Sequence, residues 1–399
     1  MRLAGVQNFP PMDRVLFGQP AADMVLAEAQ RLGATRVYLV VSHTLNTTTN
    51  EIEMIRTKLG DRYAGTFDRV PQHTTRANAV EIAKAATAAG ADLLAAVGGG
   101  SVVDVVKIVT MCMEHEIFEE DGLDGYELTA GAPGAPTVSK QFSAPRVRSI
   151  VVPTTLSGGE YNAGALVTDT RRDWKQVFHH PLMMPHAIIL DPQITLHTPE
   201  TLWLGSGTRS MDHGIEALCA KLGTPLVDAV VTEGIGLLAE GLRRCKSDPT
   251  DLEARRLAQY GSWLSAFGLQ TRVPMGASHA IGHVLGGTFG VPHYLITPVL
   301  MPHVLRYNRP ATEDAQRRIA AALGAAGRSA ADAFEQFIQE LGLPGRLSDV
   351  GIEPGDYQRI GEIAVKSVFA PANPRPLNQP ADIVALLETV KDQTAAERA

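Results

Sequence analysis

The sequence has few of the patterns that mark a secreted or membrane protein. It contains three widely separated cysteines and no C-x-x-C pair, which argues against a disulfide framework, a zinc knuckle or a redox dithiol. The N-terminus lacks a continuous apolar segment of signal-peptide length. The longest apolar stretch, residues 93–113, is interrupted by Asp104, Lys107 and three glycines, so it is a poor membrane span. We therefore expect a cytoplasmic protein without a membrane partner.

The sequence also lacks an excess of positive charge. Lysine and arginine number 36 against 43 aspartates and glutamates, a net charge of -7, which would repel phosphate backbones. Nucleic acid is therefore not an expected partner. With 399 residues, 45% hydrophobic and 20% charged, the composition is that of a globular protein with two or three structural units.

The hydrophobic pattern predicts two different halves. In the first half, short β-branched runs alternate with helical segments, which is typical of right-handed βαβ units and a parallel sheet. The predicted strands are residues 36–41, 93–97, 150–153 and 187–190, and a predicted helix covers residues 79–89. Residues 121–147, rich in Gly, Ala and Pro, are predicted to form an irregular insertion or lid.

The second half is predicted to be all helical. Segments with helical spacing follow one another after residue 192, with few strand-like runs between them. They are residues 208–221, 226–245, 252–269 and 311–326. We accordingly predict an α/β domain at residues 1–192 and a helical domain at residues 193–399.

The clearest local signal is a triple glycine between a strand and a helix. Gly98, Gly99, Gly100 and Ser101 follow the strand at residues 93–97 and precede a helical run. Glycines allow a phosphate to approach the backbone, and the first turn of a helix offers free N–H groups, with Ser101 as the expected N-cap. The pattern is neither G-x-G-x-x-G nor a P-loop, and a tight turn without a ligand is the alternative.

A second polar loop also follows a strand end. Thr154, Thr155 and Ser157 lie in the run TTLSGGE at residues 154–160. Such a run is more often an ordinary turn, but two polar loops at the carboxyl edge of one parallel sheet can face a single crevice. A dinucleotide would be expected to bind there.

Histidines form a third group of candidates. His279 and His283 are four residues apart and so share one helix face, His293 follows, and His213 belongs to another helical run. Imidazoles from separate segments can bind a divalent metal or transfer protons, whereas core or surface histidines are the alternative. The H-E-x-x-H motif is absent.

Five motifs taken in order resemble the iron-containing (group III) alcohol dehydrogenase family, and within it the maleylacetate reductase-type branch. They are GGGSVVDVVK (98–107), PTTLSGGE (153–160), DHGIEAL (212–218), HAIGHVLGG with VPH (279–293) and NPRPL (373–377). Each motif alone is weak, but five in the family's order over nearly the whole chain are specific.

The resemblance implies an NAD(P)-dependent oxidoreductase that transfers hydride to a small carbonyl or unsaturated substrate. It implies a dinucleotide-binding α/β domain, an all-helical catalytic domain, an active site in the cleft between them and a homodimer. The GGGS turn would bind the pyrophosphate, the TTLSGG loop would contact the nicotinamide side, and Asp104 and Lys175 join the cofactor candidates. Ser42 stands where NAD-preferring relatives have an aspartate, so both NADPH and NADH are admissible.

The family's metal site is only partly matched. In metal-dependent relatives an aspartate and three histidines bind the metal; the histidines match His213, His279 and His293, but Arg209 takes the aspartate's place. A guanidinium cannot ligate a cation. Asp212, about 100° away from its neighbour His213 around a helix, is expected to be a poor substitute. A tightly bound iron or zinc ion is therefore doubtful.

Arg209 has two interpretations. It can hold a substrate carboxylate through two parallel hydrogen bonds, which favours a keto acid or an unsaturated acid, or it can be a structural arginine. In the first case His279, or failing that His283, would donate the proton. Arg209 and a protonated histidine would then stabilise the developing negative charge.

Three other functions stay open. They are a metal-dependent alcohol dehydrogenase in which three histidines suffice, a lyase or cyclase with a dehydroquinate synthase-like fold, and a non-catalytic binding protein. The last is the least expected because it gives no reason for histidines at all three matched positions.

Overall fold

The protein was analysed as a computed structural model that describes residues 7–9, 11–71, 74–129, 139–140, 143–172 and 174–389, without the side chains of residues 174 and 175. These residues form two compact units. One is Phe9–Pro199, and the other comprises residues 200–389 together with residues 7 and 8.

The first unit is built on a parallel sheet of six strands in the order β1-β8-β5-β4-β2-β3, beside an antiparallel hairpin of β6 and β7. The strands are β1 (Arg14–Phe17), β2 (Val37–Val41), β3 (Tyr63–Phe67), β4 (Leu93–Gly98), β5 (Arg148–Pro153), β6 (Gly164–Asp169), β7 (Trp174–His179) and β8 (Ala187–Leu190). The helices are α1 (Ala21–Arg31), α2 (His43–Thr48), α3 (Glu51–Leu59), α4 (Arg76–Ala88) and α5 (Gly100–Glu114).

Helices cover both faces of this sheet. Every residue of β2 and β4 is buried, as their continuous β-branched and apolar runs predict. Alternate residues face opposite layers: Val40 and Ala96 belong to the core with α4 and α5, whereas Leu39 and Val97 belong to the core with α1 and α3. Two separate apolar cores therefore hold the sheet in place.

The second unit is helical throughout its described residues. Its helices are α6 (Glu200–Cys219), α7 (Pro225–Ser247), α8 (Leu252–Ser265), α9 (Phe267–Gln270), α10 (Ala277–Gly287), α11 (His293–Ala322), α12 (Ala330–Leu341), α13 (Tyr357–Ala364) and α14 (Pro380–Leu387). Helix α6 is buried continuously from Trp203 to Leu218, so it is the central helix of the unit. Together the two units confirm the predicted fold class, α/β followed by all-α.

Several local predictions were wrong or incomplete. Strands β1 and β3 and the β6–β7 hairpin were not predicted, and residues 252–269 form two helices, α8 and α9, instead of one. In the insertion at residues 121–147, residues 130–138 and 141–142 lie outside the described residues. No described helix is both long and apolar enough to cross a membrane.

Candidate active site

The nucleotide-binding candidates lie where the connections that leave two adjacent strands run to opposite faces of the sheet. The chain leaves β2 toward the face covered by α3 and leaves the adjacent β4 toward the face covered by α5. Ser42 directly follows β2, and Gly99 directly follows β4. The Ser42 N–H donates to the carbonyl of Val97 at 2.9 Å, which fixes the two loops side by side. A crevice between diverging loops of this kind is the usual ligand site of open α/β sheets.

The triple-glycine turn packs tightly against the second polar loop. A Cβ atom built on Gly99 would lie 3.2 Å from Thr155 Cγ2, and one built on Gly100 would lie 3.2 Å from Ser157 Oγ. Strands β4 and β5 are paired up to their last residues, and the Thr154 N–H donates to the Gly98 carbonyl at 3.0 Å. The structure therefore brings together the two predicted loops, and side chains of the second loop occupy the space that a Cβ atom on either glycine would need.

The prediction that Ser101 is the N-cap is wrong. Helix α5 begins at Gly100, so Gly99 is the N-cap and Ser101 lies inside the first turn. The Ser101 carbonyl instead accepts a hydrogen bond from Thr74 Oγ1 at 3.0 Å. The first turn of α5 consequently begins among the glycines, directly after the end of β4.

A buried lysine joins helix α5 to the chain that follows β5. Lys107, 1% exposed, donates from Nζ to the carbonyls of Gly159 (2.7 Å) and Gly164 (2.8 Å), and Nζ lies 3.4 Å from Asp104 Oδ1. Glu160 is also buried, and burial raises its pKa to about 7. Lys107 therefore ties α5 to the chain that follows β5. Asp104, predicted to contact the cofactor, belongs to this internal group as well.

Lys175 can be placed only by its backbone. It lies in β7 opposite Thr168, and its side chain lies outside the described residues. Its role near the nucleotide stays a prediction.

The acid–base candidates of the second unit share one face of α6. Arg209, Asp212, His213 and Glu216 occupy positions i, i+3, i+4 and i+7, and all four are buried. Buried polar groups need partners, and on this central helix the partners come from α10 and α11.

Arg209 is hydrogen-bonded to Asp212, the aspartate that was predicted to be a poor metal ligand. Arg209 Nη1 donates to Asp212 Oδ2 at 2.6 Å, and the same oxygen accepts from Ser278 Oγ (2.7 Å) and Thr297 Oγ1 (2.9 Å). Asp212 was predicted to be a poor substitute for the missing metal ligand, and its role in the structure is a different one: the i, i+3 spacing places it beside Arg209 as the partner of the guanidinium. Asp212 Oδ1 has no hydrogen-bond partner among the described residues.

Glu216 makes the corresponding contact with His279. Its Oε2 lies 2.6 Å from His279 Nδ1 and accepts the Gly276 N–H at 2.9 Å, while Oε1 accepts the Ser278 N–H at 2.7 Å. No role for Glu216 came from the sequence, although its i+7 spacing from Arg209 on a helix carrying two other candidates was a usable signal.

Burial governs the protonation of both histidines. Desolvation, and secondarily the charge of Arg209, lowers the pKa of His213 and of His279 well below its ordinary value. Without a bound substrate, both rings are therefore neutral near pH 7. The prediction that a protonated histidine assists Arg209 does not describe this state, because a second cation beside a buried guanidinium is unfavourable.

The other histidines differ in their surroundings. The ring centroid of His279 lies 5.2 Å from that of His213 and 6.3 Å from that of the half-buried His283, and Phe369 contacts both His279 and His283. His293, the third predicted ligand, is exposed at the first residue of α11. The structure thus groups three of the four predicted histidines, with His279 in the middle, and two of them contact Phe369.

The donor set fits a divalent cation poorly. Asp212, Glu216 and His279 offer one atom each within 4.8 Å of one another, which is close enough for a shared ion. However, Asp212 Oδ2, both Glu216 oxygens and His279 Nδ1 already make hydrogen bonds, and Arg209 places a positive charge against Asp212. Asp212 Oδ1 and His213 Nδ1 have no hydrogen-bond partner among the described residues, but a second cation at this cluster would still have to compete for Glu216 and overcome the charge of Arg209.

A second connection supports the first turn of α10. Asn373 Oδ1, from the NPRPL motif, accepts the Ala277 N–H at 3.2 Å, and the buried side-chain amides of Asn373 and Asn308 bond to each other in both directions, at 2.8 and 3.0 Å. The NPRPL motif therefore fixes the start of the helix that carries His279.

Comparisons with known proteins agree over the whole chain. A model described as "Iron-containing alcohol dehydrogenase" matches residues 11–192, and one described as "Fe-containing alcohol dehydrogenase family, C-terminal" matches residues 205–390. Maleylacetate reductase from Burkholderia cepacia is 32% identical over 95% of this chain and 96% of its own length. Crystal structures of maleylacetate reductases from Rhizobium sp. strain MTP-10005 and Agrobacterium tumefaciens are 27% and 26% identical, each with a TM-score of 0.81 over 97% of this chain and 98% of theirs.

Proposed function

Because the chain belongs to the iron-containing alcohol dehydrogenase family and is an NAD(P)-dependent oxidoreductase, we propose that it reduces a small carbonyl or unsaturated substrate bearing a carboxylate, without a tightly bound metal ion. Family membership confirms the resemblance seen in the motifs. Relatives that match over the chain's length are named maleylacetate reductases, whose named substrate is a carboxylate. The observation that carries the proposal is the buried guanidinium of Arg209 at the family's metal-ligand position.

The first unit would hold the cofactor. We assign the pyrophosphate to the glycine turn at the start of α5, where Gly99 and Gly100 pack against Thr155 and Ser157 of the neighbouring loop. Bound NADPH or NADH would supply the hydride. Ser42 offers no carboxylate against a 2′-phosphate, so we propose that both cofactors are accepted.

Arg209 would bind the substrate carboxylate. Asp212 engages Nη1 alone, which orients the guanidinium and leaves Nε and Nη2 for a ligand. The ion pair is close to neutral overall, so a substrate carboxylate would add one negative charge to it. A charge-assisted, bidentate contact with a fixed guanidinium would orient the substrate.

His279 would deliver the proton. A bound carboxylate offsets the positive charge of Arg209, which is one cause of the low pKa of His279, so substrate binding favours proton uptake by this ring. The proton would then pass to the carbonyl oxygen, or to the α-carbon of an unsaturated acid, as the hydride adds to the electrophilic carbon. His283 is the alternative donor.

The test is an assay of keto acids, unsaturated acids and uncharged aldehydes with NADPH and with NADH. The loss of absorbance of the reduced nicotinamide measures the reduction. Each assay is run with and without added zinc or ferrous ion, on protein purified without chelator and analysed for metal. We expect turnover of carboxylates, maleylacetate among the first to test, with no gain from metal. Activity on uncharged aldehydes alone would contradict the proposal.

A metal-dependent alcohol dehydrogenase is the second candidate. It is favoured by the closeness of Asp212, Glu216 and His279, which is the one cluster of this kind among the described residues. One metal ion per chain in purified protein, with activity abolished by chelation, would select it. We also propose a homodimer and a cytoplasmic location, as the resemblance implies; the molar mass in solution tests the first.

A further inference from the structure

Three nitrogen atoms lie within hydrogen-bond distance of the two oxygens of the buried Glu216 carboxylate. Two belong to the backbone of Gly276 and Ser278, and the third position is His279 Nδ1. Glu216 and His279 are 63 residues apart in sequence, so the contact depends on the packing of α6 against the start of α10.

The two backbone donors restrict what can occupy position 216. A backbone N–H cannot change its protonation state, so both oxygens must remain acceptors toward it. An ionised carboxylate satisfies both and still accepts a proton from His279 Nδ1. A glutamine amide would turn its NH₂ group toward one of the backbone N–H groups, whichever way it is oriented.

The space around this contact is also restricted. A Cβ atom on Gly276 would lie 2.8 Å from Asn373 Oδ1 and 3.3 Å from Glu216 Oε1. The backbone at Gly276 therefore lies directly between the carboxylate and the Asn373 amide, and neither side chain can shift without moving the first turn of α10. The position of His279 is fixed from both sides.

We propose that Glu216 is a positioning residue that holds His279 in the tautomer protonated on Nδ1, so that Nε2 is the nitrogen that exchanges the proton with the substrate. This inference rests on the proposed function for the role of His279. The tautomer itself follows from the geometry alone. A neighbouring carboxylate that fixes the tautomer of an acid–base histidine is a large contribution to rate in other enzymes.

Nitrogen NMR of the full-length protein with ¹⁵N-labelled histidine tests the tautomer directly, with the His279 signals assigned by their loss in His279→Gln. We expect Nδ1 to carry the proton in the wild type, and we expect Glu216→Gln to lose this preference. A wild-type ring protonated on Nε2 would overturn the proposal, and this wild-type measurement depends neither on knowing the substrate nor on the folding of Glu216→Gln.

Kinetics supply the second readout. Glu216→Gln should lower kcat by about 100-fold or more, with little change in KM for the cofactor or for the carboxylate substrate, because Arg209 and the glycine loops are untouched. Glu216→Asp keeps acceptor-only oxygens and should retain more activity than the glutamine variant. Glu340→Gln, which removes a surface carboxylate paired with Arg243, is the matched control and should keep wild-type kcat.

The outcomes separate the two proposals. A wild-type enzyme that reduces no carboxylate, but whose His279 is protonated on Nδ1, contradicts the proposed function and leaves the positioning by Glu216 standing. An active enzyme in which Glu216→Gln keeps its kcat and its His279 tautomer contradicts the positioning role alone.

Discussion

Replacing Arg209 with methionine is expected to lower both the stability of the protein and its turnover of a carboxylate substrate. Methionine keeps an unbranched side chain of similar length but removes the charge, so Asp212 is left buried without its cation. Asp212 Oδ2 would keep the hydroxyl donors of Ser278 and Thr297. The variant therefore isolates the charge of Arg209 from the packing of α6.

The contact geometry sets the size of the stability effect. With Nη1 2.6 Å from Oδ2, the two charge centres are about 4 Å apart, worth about 4 kcal/mol at an effective dielectric constant of about 20. Breaking a buried ion pair by removing one partner costs about 3–5 kcal/mol, which agrees. We expect a loss of about 3–4 kcal/mol in the free energy of unfolding near pH 7, measured by denaturant titration.

The loss should depend on pH. Burial already raises the pKa of Asp212 in the wild type, and removing Arg209 raises it further. Above the ordinary pKa of an aspartate, the folded variant then holds a proton that the unfolded chain does not, so its stability falls as pH rises. The deficit relative to wild type should therefore be smaller at about pH 5 than at about pH 8.

Kinetics distinguish substrate binding from a structural role. A lost charge-assisted contact of about 1.5–3 kcal/mol predicts a fall of about 10- to 150-fold in kcat/KM for a carboxylate substrate and less for an uncharged aldehyde. Arg209→Lys keeps the charge without the bidentate geometry and should be intermediate. Equal losses on both substrates, or none, would refute substrate binding by Arg209.

Arg209→Asp addresses the metal question. It places a second carboxylate beside Asp212, and two buried carboxylates at this distance cannot both ionise without a cation. We expect this variant to take up zinc or ferrous ion and to lose activity on carboxylates. Wild-type protein that already holds one tight metal ion per chain, and that loses activity on chelation, would refute the metal-free mechanism regardless of the variants.

Four further predictions concern the first unit. Gly99→Val should weaken NADPH and NADH binding measured by calorimetry. Because the new Cβ atom would press on Thr155, the thermal unfolding of the variant must be compared with that of the wild type. An unchanged affinity would remove this turn from the proposed site. Ser42→Asp should raise KM for NADPH more than KM for NADH, and an equal effect on both would place the ribose elsewhere. Lys107→Met should raise the KM for the cofactor about tenfold, because the hydrogen bonds from Lys107 Nζ to the carbonyls of Gly159 and Gly164 are lost. The free energy of unfolding of the variant is the control. Because burial raises the pKa of Glu160 to about 7, the free energy of unfolding should fall by up to ~3 kcal/mol between about pH 4.5 and 7, and Glu160→Gln should abolish this slope.

The sequence was sufficient for the parts of the site that depend on chain order. Strands such as β4 and β5 are continuous apolar runs, and parallel strands bring their carboxyl ends to one edge, so the loops at Gly98 and Thr154 were expected at the same edge. The pairing of β4 with β5 then makes them neighbours. The helical second half followed from spacing in the same way. Local capping was less certain, since a helix can begin at Gly100 as readily as after Ser101.

Contacts between distant segments were decided by the tertiary structure. From the sequence, Asp212 was assigned no part in the site and Glu216 no role, although both lie at helical spacing from Arg209. Spacing alone could not say that Ser278 and Thr297 would share Asp212 with Arg209, or that His279 would meet Glu216. These bonds join residues 63 to 85 positions apart. Periodicity specifies the face that a side chain occupies, whereas hydrogen-bond partners and protonation depend on which other faces pack against it and how much water they exclude.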